Sequence, residues 1–112
     1  MQITEEKCAD VKIIGLQGRL DGTTSPGVEQ KLTQCIAQGE LRIALDFTEL
    51  IYVSSNGLRV LMVVAKQIQK VGGRLALFAL SENVSEILKI AGFTQLFSIY
   101  PTRAEAVQHC TG

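Results

Sequence analysis

The apolar residues of the chain fall into short runs separated by polar breaks, and the spacing within the runs changes along the sequence. Val11-Lys12-Ile13-Ile14-Gly15-Leu16 is rich in β-branched residues and ends at Gly18, which predicts a strand, and Asp21-Gly22-Thr23-Thr24-Ser25 has the chemistry of a loop. Ser25 offers an N-cap and Pro26 suits the first helical position, after which Val28, Leu32, Cys35 and Ile36 recur at helical spacing. This predicts an amphipathic helix closed near Gly39. Arg42-Ile43-Ala44-Leu45-Asp46-Phe47 predicts a buried strand. The next helix is capped by Ser54 or Ser55, carries Leu58, Leu61, Ala65 and Ile68 along one stripe, and stops at Gly72-Gly73. Arg74 to Leu80 predicts another nearly continuous apolar strand. Ser81 caps a short helix with Val84, Ile87, Leu88 and Ala91, Leu96 to Tyr100 is a last short strand, and a terminal helix runs from Thr102 to about His109.

Strands alternating with helices imply βαβ units, so the expected class is α/β, with a mixed but mostly parallel central sheet of about five strands and about four helices. Gln2 to Lys7 is expected to add an antiparallel edge strand, because a hairpin with Val11 to Leu16 needs only a short turn. At 112 residues, with no internal repeat, linker or low-complexity tract, residues 1–112 are expected to form one domain.

Composition narrows the function. The 11 basic and 11 acidic side chains cancel, which removes the electrostatic footprint of a general nucleic-acid or anionic-membrane binder and favours a protein partner or a small ligand. The longest strictly apolar runs, Val60 to Ala65 and Leu75 to Leu80, fall far short of the ~20 residues that span a bilayer. The first residues lack the basic and apolar regions of a signal peptide, so the expected location is the cytoplasm. Cys8, Cys35 and Cys110 are odd in number and have no CxxC spacing, which predicts free thiols, with Cys35 on an apolar helix face.

Catalytic chemistry finds little support. The single histidine, His109, lies far from any nucleophile motif, and neither a GxxxxGK[ST] loop nor a GxGxxG turn is present. Asp21, Asp46 and Glu49 have the chemistry of a metal or acid/base cluster, but three carboxylates on separate loops more commonly serve as solvated or capping groups. No catalytic residue, cofactor or metal is therefore expected.

The notable chemistry is the junction Val53-Ser54-Ser55-Asn56-Gly57, where a short loop enters a helix. On the plain reading Ser55 is the N-cap, its hydroxyl accepting from the Gly57 or Leu58 amide, worth ~1 kcal/mol. On the functional reading the same free amides and positive dipole end favour a phosphoryl group on that hydroxyl. Gly57, without a β-carbon, would leave the backbone open to a kinase or partner. Phosphorylation adds about −1.5 to −2 charges, enough to weaken an interface by several kcal/mol. Apolar residues run nearly around the first half of the following helix, so Met62 either fills the core or meets a partner, and Arg59 is either solvated or within reach of a phosphate or a partner carboxylate.

At these residues the sequence resembles the STAS family, the domains named for sulphate transporters and anti-sigma-factor antagonists. Gly18-Arg19-Leu20-Asp21 is similar to its Gly-Glu-Leu-Asp loop and Asp46-Phe47-Thr48-Glu49-Leu50 to its Asp-Leu-Ser-x-Leu segment. Ser54 to Leu61 resembles the phosphorylation turn and the helix after it. The resemblance implies an anti-sigma-factor antagonist: unphosphorylated, it binds an anti-sigma factor that is also a serine kinase and so frees a sigma factor; phosphorylation breaks the complex and a serine phosphatase restores it. It transfers the phosphoacceptor role to Ser55, with Ser54 as the alternative because many antagonists carry Asp there. It puts Asp21, Thr23, Ser54, Asn56, Gly57, Arg59 and Met62 on the partner-binding face. Self-association stays open. The competing reading is an unphosphorylated STAS subunit of a lipid-transport ATPase complex or signalling scaffold, and a third is a nucleotide- or lipid-binding domain with a pocket near Asp21 and Ser55.

Overall fold

Central strands that are apolar on both sides need cover on both faces, and that requirement organises the molecule. The computed structural model describes residues 1–111. In order along the chain come β1 (Gln2–Cys8), β2 (Val11–Leu20), α1 (Ser25–Ala37), β3 (Arg42–Asp46), β4 (Leu50–Val53), α2 (Ser55–Lys70), β5 (Arg74–Phe78), α3 (Glu82–Ile90), β6 (Ser98–Tyr100) and α4 (Arg103–Thr111). The sheet runs β1-β2-β3-β5-β6, and β4 joins it through β2. Among the described residues, the β1–β2 hairpin alone is antiparallel; β2–β3, β2–β4, β3–β5 and β5–β6 are parallel.

Alternation within each strand divides the core in two. Ile14, Leu16, Ile43, Leu45 and Leu77 pack with Val28 and Leu32 of α1, Val60, Leu61 and Val64 of α2, and Val84 and Leu88 of α3. The intervening Ile13, Ala44, Ala76 and Phe78 point the other way, onto Ala106 and Cys110 of α4. Small alanines in the middle of that second face let a single helix lie close against it. Arg42 and Arg74 tie down its end, donating to the carbonyls of Cys110 and Thr111 and to that of His109. All three cysteines are free, and Cys35 is buried on α1 as expected. Among the described residues, no helix is long and apolar enough to cross a membrane.

Three expectations need correction. The sheet has six strands rather than about five, because Leu50–Val53 is a strand and not part of a loop. It is too short to display a period, and its inner residues Leu50 and Val53 are separated by the exposed Ile51 and half-buried Tyr52. The N-cap of α1 is Thr24, one residue earlier than the expected Ser25, and its side chain does not cap the helix. Instead its hydroxyl donates to the Arg19 carbonyl at 2.7 Å and accepts from the Asp21 amide at 2.9 Å. β2 also runs on past Gly18 to Leu20, because its first half pairs with β3 and its last residues pair with β4.

Candidate functional site

The C-terminal ends of β2 and β4 bring two loops of the sequence together at the start of α2. Arg19, Leu20 and their partners Tyr52 and Val53 lie in register, and the Ser54 amide donates to the Leu20 carbonyl at 2.8 Å. The Arg19 guanidinium sits 4.3 Å from the centre of the Tyr52 ring, a cation–π contact that stiffens this corner.

The two serines have different roles. Ser54 is the N-cap of α2, with extended backbone (φ −87°, ψ 176°), and its hydroxyl accepts from the Gly57 amide at 3.4 Å. Of the two serines expected to cap this helix, Ser54 does so, and the reading in which Ser55 is the cap gives way. Ser55 is the first helical residue and is exposed. The Ser54 carbonyl accepts from the Leu58 amide, so the amides of Ser55 and Asn56 are the unengaged donors of this first turn.

Gly57 needs a second correction. It is buried, and a β-carbon there would sit 2.8 Å from the Leu20 carbonyl oxygen, 2.8 Å from Leu20 Cγ and 2.9 Å from Val53 Cγ1. Its missing side chain does not open the backbone to a partner; it lets α2 close onto β2 and β4. The other expected face residues are accessible: Thr23, Asn56 and Arg59 are exposed, and Asp21, Ser54 and Met62 are half-buried.

Asp21 begins the neighbouring loop. Its Oδ1 accepts from the Thr23 amide at 3.0 Å, the Thr23 hydroxyl at 2.8 Å and the Thr24 amide at 3.2 Å. Those donors, the Thr23 hydroxyl foremost, hold its carboxyl below the usual aspartate value, so a fixed negative charge stands at this loop. The loop also touches the serine turn: a β-carbon on Gly22 would lie 3.1 Å from the Asn56 Nδ2. Asp21, Thr23, Ser54, Ser55 and Asn56 thus share one end of the molecule.

The other carboxylates do not join them in a ligand set. Asp46 Oδ1 accepts from the amide of Thr48 at 2.9 Å, a local turn contact, and among the described residues there is no group of three or more His, Cys, Asp or Glu placed to hold a metal. The depression of about 540 Å³ beside Asp21 and Thr24 is otherwise lined by Met1, by Gln2 of β1 and by Gln17, Gly18 and Arg19 of β2, and does not include Ser55. A shared ligand pocket at Asp21 and Ser55 is therefore absent from that depression.

Two features escaped the sequence reading. Tyr52 lies on the strand read as loop, so its pairing with Arg19 was hidden. Glu29 of α1 forms an ion pair with Arg59 of α2, Nη2 to Oε1 at 3.0 Å; only the packing of α1 on α2 brings residues thirty apart into contact.

The STAS domain pattern matches residues 2–106, and the chain belongs to the STAS domain family. Among relatives, it is 37% identical over 106 residues to BtrV of Bordetella bronchiseptica, covering 95% of this chain and 91% of that one; the role of anti-sigma factor antagonist is provisionally assigned to BtrV. It is 31% identical over 96 residues to the anti-sigma-B factor antagonist of Bacillus subtilis, covering 85% and 86%. The fold matches a Thermotoga maritima structure, also provisionally assigned as an anti-sigma factor antagonist, with a TM-score of 0.93 at 22% identity over 98% of this chain and 95% of that one. It also matches the anti-sigma factor antagonist SpoIIAA in its unphosphorylated form, with a TM-score of 0.78 at 23% identity over 99% of both chains. The phosphorylated form of SpoIIAA gives 0.73 at 22% identity over 96% and 98%.

Proposed function

We propose that residues 1–112 act as one anti-sigma-factor antagonist domain that binds a serine-kinase anti-sigma factor when unphosphorylated and is switched off by phosphorylation at Ser55. The observation that carries this reading is the division between the two serines. The Ser54 hydroxyl is engaged in the cap, whereas Ser55 is exposed at the first position of α2, beside unengaged amides that favour an anion. The names of the relatives support the same reading, as does the existence of SpoIIAA in both phosphorylation states.

The binding face then consists of Asp21 and Thr23 on one loop and Ser54, Ser55, Asn56, Arg59 and Met62 at the start of α2. A dianion introduced there, next to an aspartate held ionised, opposes any acidic partner group; at 1.4 kcal/mol per tenfold, a ~3 kcal/mol penalty lowers affinity more than a hundredfold. The protein is then a substrate of a kinase and a phosphatase and not itself an enzyme. Incubation with ATP and the serine-kinase anti-sigma factors of the same cell, read by intact mass and peptide fragments, is expected to place one phosphate on Ser55. Phosphate on Ser54 alone would move the acceptor, and none on either serine with every such kinase would refute the switch. In parallel, Ser55→Asp is expected to bind the partner at least tenfold more weakly than Ser55→Ala, and equal affinities would reduce the turn to a plain helix start.

A further inference from the structure

The ion pair between α1 and α2 lies one helical turn from the acceptor. Arg59 follows Ser55 by four residues, so both project from the same side of α2, with β-carbons about 5–6 Å apart in such a pair. Side chains on a helix lean toward its N-terminus, which aims the long Arg59 side chain back over the first turn. Yet the guanidinium is not free: its Nη2 is 3.0 Å from Oε1 of Glu29, and the Arg59 side chain remains 57% exposed. Arg19, a second cation near this end, is stacked on Tyr52.

We infer that Arg59 is the internal receptor for a phosphate on Ser55, held in waiting by Glu29, and that phosphorylation transfers Arg59 from Glu29 to the phosphoserine. The inference rests on the reading of Ser55 as acceptor. Its driving force is competition for one guanidinium: a phosphoserine carries about −1.5 to −2 charges and three acceptor oxygens against the single charge of a carboxylate, and it lies on the same helix. A surface pair such as Glu29–Arg59 is weak enough to be displaced. No bond other than these ion pairs changes.

The consequence is a second change in charge, on a different helix. Before phosphorylation Glu29 is neutralised by Arg59. Afterwards the arginine partly neutralises the phosphate and Glu29 stands unpaired on α1, so a partner lying across both helices meets new negative charge at two places. Glu29 is thus a positioning residue that also widens the repulsive surface.

The test installs phosphoserine at position 55 by genetic-code expansion in the full chain, which makes it independent of whether any cellular kinase modifies that residue. The side-chain carboxyl carbon of Glu29 and the Nε–Hε group of Arg59 are followed by NMR, with Glu29→Gln and Arg59→Lys supplying assignments. Both resonances are expected to move on phosphorylation, and the Glu29 resonance of unmodified Arg59→Gln is expected to match that of the phosphorylated protein already, with little further movement when position 55 carries phosphate. A double-mutant cycle of Glu29→Gln and Arg59→Gln is expected to give a stabilising coupling in the unmodified protein and none in the phosphorylated one. Unmoved Glu29 and Arg59 resonances, or a coupling that survives phosphorylation, would overturn the inference. Failure of the kinase experiment above, with the transfer still seen here, would instead overturn only the assignment of the physiological switch.

Discussion

Ser54 and Ser55 carry the same hydroxyl one residue apart, and backbone geometry alone separates them. With ψ near 176° Ser54 is outside the helix and can fold its oxygen back onto the Gly57 amide; Ser55, already helical, cannot. At 3.4 Å the cap bond is long, so Ser54→Ala is expected to cost about 0.5–1 kcal/mol, the lower half of the usual range, and Ser55→Ala less than about 0.5 kcal/mol. Urea denaturation of both variants checks this, and a larger loss at position 55 would contradict the cap assignment. Gly57 offers a stronger test. Alanine is the better helix former by ~1 kcal/mol, but its β-carbon would press on the Leu20 carbonyl, a backbone group that also accepts from Ser54 and cannot rotate aside. Overpacking of about 1–3 kcal/mol should win, so Gly57→Ala is expected to lose on the order of 1–2 kcal/mol in the same measurement. Composition could mark Gly57 as special but not say why, because the atoms that forbid a side chain come from two other strands.

At the scale of elements, what the sequence revealed depended on length and period. The sixteen residues of α2 and the ten of β2 repeat their pattern often enough to be read, and Gly39 and Gly72-Gly73 mark helix ends chemically. The four residues of β4 show no repeat, and nothing local announces that β2 will extend past Gly18 to meet them. The site was legible in its residue types, since Asp21, Thr23, Ser54, Ser55 and Asn56 do gather at one end. Its fine positions were not: the start of α1 falls on Thr24, one residue before Ser25, and of the two serines offered as the cap of α2 only the backbone dihedrals select Ser54. The β1–β2 hairpin carries a prediction of this scale. Its loop is Ala9-Asp10 between the paired Cys8 and Val11, and of the two only Ala9 has positive φ, at 54°. That is the pattern of a type II′ turn, whose first central position favours glycine. Ala9→Gly is therefore expected to stabilise the protein by about 0.5–1 kcal/mol, relief of the left-handed alanine outweighing the added freedom of the unfolded chain. A raised melting temperature, by roughly 4–8 °C per kcal/mol, is the readout, and an unchanged or lower one would refute the turn assignment.

Across the whole molecule, the edge strand is joined to its neighbours partly by charge. Glu5 of β1 meets Lys12 of β2 at 2.9 Å and also pairs with Lys31 of α1, so one carboxylate links three elements. Hydrogen bonds from Lys31 first and Lys12 second hold its carboxyl below the ordinary 4.5, against the opposing effect of partial burial. The same contact raises the ammonium of Lys12, as a shared pair requires. Because the folded value is the depressed one, the unfolded chain binds the extra proton first as pH falls. The stabilisation is therefore complete above the unfolded value near 4.5 and is lost as pH drops through the folded one. Exposed pairs are worth about 0.2–1 kcal/mol, so Glu5→Gln is expected to cost on the order of 0.5–1 kcal/mol at neutral pH and less near pH 3. Molar salt, which shortens the screening length to ~3 Å, should shrink the neutral-pH difference. Urea titrations of both proteins at the two pH values decide the matter: a gap between them that is equal at both would mean that the charge of Glu5 does not stabilise the fold, because glutamine keeps both methylenes and loses only the ionisable group, and the three-element link would then carry no electrostatic weight.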